Sequence, residues 1–189
     1  MKRIRNKRLH FLCKGMCIVC MLILFCGFTA CTVQSPQQYY SQAPAQEQQA
    51  AGTAYIAIDC STVLQNMDLL DPALKDSGLI PEDGTILQET EYTFAQGDTV
   101  FDLLCKATKE KQIQLEYQGA QDSSVSALYV QGIGYLYEFS CGAQSGWSYC
   151  VNGEFLSVGC DSYTLKDGDK VQWLYTCDMG QDIGNALAS

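Results

Sequence analysis

The chain has 189 residues and a formal net charge of −9 at pH 7. Six of its 12 basic residues precede Cys31, so the remainder carries six Lys, no Arg and all 21 acidic residues, a formal charge of −15. Nucleic acid is therefore excluded as a partner, because phosphate binding depends on Lys and Arg. Basic attraction to anionic lipid headgroups is excluded for the same reason.

The only histidine, His10, lies in the first ten residues. The rest of the chain therefore cannot build a Ser-His-Asp or Cys-His pair or a His-containing zinc site. Carboxylate-pair chemistry remains open in principle, but the acidic residues are scattered over turns and are better interpreted as a solvated surface. We expect a protein that is not an enzyme and has no metal site.

Residues 1–30 have the pattern of an export signal, with a basic start and a short apolar run. The run is shorter than the about 20 residues of a membrane-spanning helix. The motif Phe28-Thr29-Ala30-Cys31 resembles the lipobox of bacterial lipoproteins, which implies that acyl chains on Cys31 anchor the protein to the outer face of the cell membrane. Secretion after cleavage and an uncleaved N-terminal anchor are the alternatives.

Residues 31–52 are rich in Gln, Ala, Ser and Pro, which predicts the lipidated Cys31 followed by a disordered linker. Residues 53–189 have the size of one domain. In this domain we first expect a strand at 55–59 and a short helix capped by Ser61 or Thr62 and ended by Pro72, with a surface loop over 76–84.

A second strand is predicted near 91–94, followed by a helix in which Val100, Leu103, Leu104 and Ala107 have helical spacing. Thr99 and Asp102 resemble a capping box at its start. Further strands are predicted after the helix, at 113–117, 127–131, 135–139, 147–151 and 170–176.

This order of elements predicts an α+β fold, a β-grasp-like mixed sheet packed on one main helix. In such a sheet the first and last strands are parallel neighbours, so we expect Cys60 and Cys177, just past their ends, to form a disulfide. Six cysteines allow 15 pairings in an exported domain, and Cys141–Cys160 and Cys105–Cys150 complete the predicted set. Zinc binding or redox exchange is not favoured, because no CxxC motif follows Cys31.

The segment 132–155 is dense in aromatic residues between Gly-rich turns. Strand alternation places Trp147, Tyr149 and Val151 on one face, so core packing explains some of these side chains. The functional interpretation is that Trp147 and a tyrosine form a flat platform for a planar or apolar ligand.

The sequence SGWSYCVNGEF with the later turn Tyr163-x-Leu165-x-Asp167-Gly168-Asp169 and the strand Trp173-x-Tyr175-Thr176 resembles the bacterial transcobalamin-like C-terminal domain (domain of unknown function 4430). The resemblance covers nearly everything after the linker. It implies a lid-like domain over cobalamin or another corrinoid, because the animal relatives intrinsic factor and transcobalamin use it so, together with a helical barrel domain.

We expect no helical barrel in this sequence, so the resemblance also implies a partner, such as a surface protein or a transporter. Trp147 and Tyr149 match its aromatic motif and are the first candidates for ligand contact, followed by Tyr135 and Tyr137. The alternative is a cell-envelope protein-interaction module without a small ligand.

Overall fold

The structure, a computed structural model, describes residues 50–119 and 128–185. A five-stranded sheet has the order β2-β1-β8-β6-β7 and comprises β1 (Ala50–Asp59), β2 (Thr85–Ala95), β6 (Gly146–Val151), β7 (Glu154–Phe155) and β8 (Lys170–Thr176). A three-stranded sheet comprises, in spatial order, β3 (Leu115–Gln118), β4 (Tyr129–Ile133) and β5 (Leu136–Tyr137). The helices are α1 (Ser61–Leu64), α2 (Pro72–Lys75), α3 (Val100–Lys111) and a 3-10 turn at Gln181–Ile183.

The mixed sheet agrees with the predicted α+β class. Strands β1 and β8 are parallel neighbours, with Tyr55 opposite Lys170 and Asp59 opposite Leu174, as the β-grasp order requires. Alternation along β1 turns Ala54, Ile56 and Ile58 into the core, where they are fully buried.

Helix α3 packs its apolar stripe of Val100, Leu103, Leu104 and Ala107 into this core. Its start is the predicted capping box: the Thr99 hydroxyl accepts from the Asp102 amide at 3.2 Å, and the Asp102 carboxylate accepts from the Thr99 amide at 2.8 Å. The backbone amides of Thr99 and Asp102, which have no acceptor within the helix, are thereby hydrogen-bonded.

The first strand is longer than predicted, because β1 begins at Ala50, five residues before the predicted start and inside the segment assigned to the linker. The reason is tertiary: Ala50 pairs with Ala95 and Gly52 with Phe94 of β2. The signal peptide, Cys31 and the remaining linker lie outside the described residues.

The short helix after β1 also differs from the prediction. Its N-cap is Cys60, without a side-chain capping bond, and neither Ser61 nor Thr62 caps it. Asp59 instead accepts hydrogen bonds from the Ser61 amide at 2.9 Å and hydroxyl at 2.6 Å, while the Thr62 hydroxyl donates to the Tyr175 carbonyl at 2.5 Å. These bonds attach α1 to the end of β8.

All six described cysteines are free thiols in the structure, and the predicted pair Cys60–Cys177 is not formed. Since Asp59 lies opposite Leu174, Cys60 is level with Tyr175, and Cys177 lies two residues, about 7 Å, further along. Cys177 instead has the thiol of Cys141 as its neighbour.

The other two predicted pairs are not formed either. Cys150 lies opposite Gln172, with its sulfur 3.6 Å from Gln172 Oε1, on the sheet face away from the core helix that carries Cys105. The Cys160 carbonyl accepts from the Phe101 amide at 3.0 Å, so Cys160 lies beside the start of α3 and not beside Cys141. The face of the sheet that the helix covers and the docking of the loop with Cys160 decide these positions, and the sequence pattern reveals neither.

Candidate ligand-binding groove

A groove of about 320 Å³ lies at one end of the domain. Its walls come from β4, from the loop and strand start between 139 and 148, and from the segment after β8. The lining residues are Tyr129, Phe139, Ala143, Gln144, Ser145, Gly146, Trp147, Ser148, Thr176, Met179, Gly180 and Asn185. None of these described lining residues carries a charge, so the groove suits a neutral, partly apolar ligand.

Two large apolar side chains of the groove are open to solvent. Phe139 is 64% exposed and Met179 is 58% exposed. Both residues have a left-handed backbone, with φ of 63° and 49°, a conformation that costs a non-glycine residue about 1 to 2 kcal/mol. Exposed apolar side chains on a strained backbone are characteristic of a surface kept for binding.

Phe139 and Met179 both form backbone hydrogen bonds with the same loop. The Phe139 amide donates to the Ser145 carbonyl at 3.0 Å, and the Met179 amide donates to the adjacent Gln144 carbonyl at 2.9 Å. The groove geometry therefore depends on the loop 141–145.

This loop is itself anchored in the core through Ser145, which is 4% exposed. Its hydroxyl donates to the Gly142 carbonyl at 2.8 Å and accepts from the Cys141 amide at 3.0 Å. The hydroxyl of the buried Tyr175 lies 2.9 Å from the same oxygen and donates to the Tyr137 carbonyl at 2.7 Å. Such a satisfied network holds the loop in one conformation.

Tyr129 contributes a polar group to the groove lining. The Tyr129 hydroxyl donates to Glu138 Oε2 at 2.7 Å. Partial burial, and then this carboxylate, raise the pKa of Tyr129 to about 12. The phenol is therefore neutral at physiological pH and remains a hydrogen-bonding group.

Trp147 is the only one of the four residues predicted for ligand contact that lines the described groove. Its indole is 8% exposed, packs edge-on against Tyr175 at 5.2 Å between ring centroids, and donates from Nε1 to the Leu136 carbonyl at 2.8 Å. The indole is mainly a core side chain that presents an edge to the groove. Direct ligand contact by Trp147 stays a prediction.

Tyr149 lies two residues further along β6 and is not part of the groove lining. Its ring packs against Trp173 at 5.5 Å, and its hydroxyl donates to the Val158 carbonyl at 2.7 Å. Burial raises the pKa of this phenol to about 12. The structure thus gives Tyr149 a packing role.

Tyr135 and Tyr137 lie on the β4–β5 hairpin, also outside the groove lining. Tyr135 follows Gly134 in a turn in which both residues have positive φ, and its side chain is 53% exposed. Tyr137 packs so closely on Gly132 that a Cβ there would lie 2.6 Å from its ring. The structure does not bring these four predicted residues together into one site.

The described thiols are shifted toward their protonated form. Burial, as the largest cause, raises the pKa of Cys60, Cys160 and Cys177 to about 12 and that of Cys105 to about 11. These groups are therefore protonated near neutral pH, and the thiolate is the reactive form.

Within residues 50–119 and 128–185, no group of three His, Cys, Asp or Glu side chains could hold a metal ion. The helices of the same ranges are too short or too polar to cross a membrane.

Phe139 and Met179 were not among the residues predicted from the sequence to contact a ligand. Phe139 precedes the Gly-rich loop 142–146, which was a usable signal for an exposed, positive-φ position. Met179 follows the last strand and has no such signal. Only the tertiary structure places the two beside one groove.

The structure is an α+β, β-grasp-like domain with an uncharged groove. Residues 97–176 match the family described as Domain of unknown function (DUF4430), which confirms the family recognised in the sequence. This part of the chain is a DUF4430 domain. No curated protein sequence matches the chain.

Several solved structures are similar to this chain. Haptocorrin in complex with Cbi has 16% sequence identity and a TM-score of 0.44, and the similarity covers 66% of this chain and 25% of haptocorrin. The chain thus spans about a quarter of haptocorrin. A candidate metal-binding protein from Ruminococcus gnavus ATCC 29149 has 11% identity and a TM-score of 0.37, with 66% of this chain and 96% of the other covered.

Proposed function

We propose that this protein is a lipid-anchored, non-enzymatic binding module on the extracellular face of the cell membrane, which holds a small neutral ligand in the groove beside Phe139 and Met179. The observation that carries the proposal is the exposure of these two side chains on a left-handed backbone. Since neither exposure nor strain stabilises the free domain, both are explained if a ligand covers the side chains.

A corrinoid is the first ligand class to test, because the sequence resembles a domain whose animal relatives cover cobalamin. The groove of about 320 Å³ is at the lower end of ligand pockets, which span roughly 300 to 1,000 Å³. It can therefore enclose only one side of a ligand as large as a corrinoid. A partner, either a surface protein or a transporter, would supply the remaining contacts.

The binding test uses Trp147 as a reporter. Trp173 is 3% exposed and does not line the groove, so Trp173→Phe leaves Trp147 as the only indole in the chain. Titration with cobalamin should then change its fluorescence, after correction for corrinoid absorbance, with an affinity that calorimetry reproduces. Phe139→Ala should weaken this affinity about tenfold, in line with the loss of one aromatic stacking contact.

Tyr135→Ala is the matched control for Phe139→Ala, because Tyr135 is also an exposed aromatic residue with positive φ but lies outside the groove. It should leave the affinity unchanged. If neither fluorescence nor calorimetry responds to cobalamin up to millimolar concentration, corrinoid binding by this chain alone is excluded.

The second candidate function is a protein-interaction module, for which Phe139, Met179 and Tyr129 would form the contact patch. All three are exposed and lie on one groove, and exposed apolar groups of this kind mark interaction sites. Pull-down from envelope extracts with wild-type protein, Phe139→Ala and Tyr135→Ala would test it. A partner retained by wild type and Tyr135→Ala but lost with Phe139→Ala supports this function.

The anchor is proposed from the sequence: with a formal charge of −15 after residue 30, acyl chains on Cys31 would hold the domain at the membrane without basic residues. Cys31→Ala should release the domain into the medium or leave an unprocessed precursor. Membrane fractionation and the mass of the N-terminal peptide measure this. A mature, membrane-bound Cys31→Ala protein would contradict the anchor.

A further inference from the structure

Two cysteines flank the groove residues symmetrically. Cys141 follows Phe139 by two residues, and Cys177 precedes Met179 by two residues. Both cysteines are buried, with 0% and 8% of their surface exposed. The chain segments that carry the two exposed apolar side chains therefore approach each other at a pair of thiols.

The two thiols sit against the same turn of chain. Cys141 Sγ lies 3.4 Å from the Asn66 carbonyl oxygen, and Cys177 Sγ lies 3.9 Å from Thr62 Oγ1. The Asn66 side-chain amide donates to the Thr62 carbonyl at 2.9 Å, so these two contact points belong to one turn. The two side chains also lie close enough to influence each other's pKa: Cys177 acts to lower that of Cys141, and Cys141 acts to raise that of Cys177.

The surrounding backbone holds the two segments together independently of the sulfur atoms. Gly146 pairs with Thr176 across β6 and β8, and the Met179 amide donates to the Gln144 carbonyl. Cys177 lies between these two contacts, and Cys141 lies three residues before the first loop residue that makes one.

We propose that Cys141 and Cys177 form a disulfide in the exported protein and that this bond closes the base of the groove. Each thiol loses its hydrogen, the S–S bond forms, and the two electrons and two protons pass by thiol–disulfide exchange to a protein or low-molecular-weight disulfide, which is reduced to two thiols. The cross-link does not depend on whether the groove binds a ligand.

Burial determines when this bond can form. In the folded chain, burial raises the pKa of both thiols, that of Cys177 to about 12, so little attacking thiolate is present. Oxidation therefore takes place during folding, before the core closes. Once buried, the same bond is inaccessible to reducing agents.

Peptide mapping of the full chain, purified without reductant from the membranes of cells that export it, tests the pairing. The protein is unfolded in guanidinium with N-ethylmaleimide to block free thiols and is then digested with chymotrypsin. Cleavage after Phe139, Trp147 and Tyr175 separates the peptide of Cys141 from those of Cys150 and Cys177. Trypsin cannot do this, because residues 112–166 contain no internal basic residue and hold three of the cysteines.

The expected product is one peptide pair joined through Cys141 and Cys177. Recovery of both cysteines in maleimide-labelled form, or of either one joined to another cysteine, would overturn the proposal. In Cys177→Ser, Cys141 should be recovered labelled, and the thermal midpoint should fall by roughly 10 °C. The matched control Cys105→Ser should retain the joined pair, and loss of the pair in that variant would contradict the assignment.

Discussion

The indole nitrogen of Trp147, on β6, donates a hydrogen bond of 2.8 Å to the carbonyl oxygen of Leu136, on β5. This bond joins the five-stranded sheet to the three-stranded sheet beside the groove. Trp147 thus has a structural function whether or not it touches a ligand.

Trp147→Phe removes this bond to the carbonyl of a buried residue, so we expect the free energy of unfolding to fall by about 1 kcal/mol through the lost bond. Trp173→Phe is the matched control, because Trp173 Nε1 is buried without a hydrogen-bond partner in the described ranges. Urea unfolding measures both variants. Equal losses would show that only the size of the indole matters.

Phe139→Gly should change stability and binding in opposite directions. Glycine adopts a φ of 63° without strain, and little packing is lost from a side chain that is 64% exposed. The free energy of unfolding should rise by up to about 1 kcal/mol, while affinity for a groove ligand falls. Phe139→Leu keeps the strain, so a similar gain in stability for Phe139→Leu would contradict this account.

Stability should fall at alkaline pH because of Cys60, which is fully buried. Burial, and then Asp59 and Asp83, raise the pKa of its thiol from 9.0 to about 12 in the folded chain. Below pH 9 both states keep the proton; between pH 9 and 12 only the unfolded chain releases it, so the unfolded state is favoured. In Cys60→Ala, the free energy of unfolding, measured with urea, should fall less steeply with pH between pH 9 and 12, by about 1 kcal/mol per pH unit. An unchanged pH dependence would exclude Cys60 as a cause.

The capping box of α3 should contribute measurably to stability. Thr99→Ala removes the hydroxyl that accepts from the Asp102 amide, and we expect a loss of about 1 kcal/mol in the free energy of unfolding. Thr99→Ser preserves the hydroxyl acceptor, so its free energy of unfolding should remain within a few tenths of a kcal/mol of the wild-type value. Thermal unfolding of both variants measures the difference, and equal destabilisation would count against the capping role.

Local patterns in the sequence predicted much of the fold. The capping box at Thr99 and Asp102 depends on residues three positions apart, and the last strand was predicted over the same residues, 170–176, that form β8. The Asn152-Gly153 turn between β6 and β7 has positive φ at both residues, as its composition requires. Chain order was sufficient to predict that β1 and β8 are parallel neighbours.

The candidate site could not be predicted in the same way. Periodicity placed Trp147 and Tyr149 on one strand face, but it could not distinguish an aromatic residue in the core from one that binds a ligand. Their accessibility depends on what packs over that face, here Tyr175 and Trp173. The best-exposed groove residues, Phe139 and Met179, lie 40 positions apart in sequence and meet only through the loop at Gln144 and Ser145.

The sequence by itself determined the charge of the chain, the export pattern before Cys31, the α+β class and the family, because these depend on composition, short motifs and the order of elements. Tertiary structure decided the groove and the neighbour of Cys177. In the pairing of β1 with β8, Cys177 lies two residues beyond the level of Cys60, which separates the two thiols. The loop after Phe139 brings Cys141 next to Cys177 instead. Register and loop docking are long-range properties, and no local pattern encodes them.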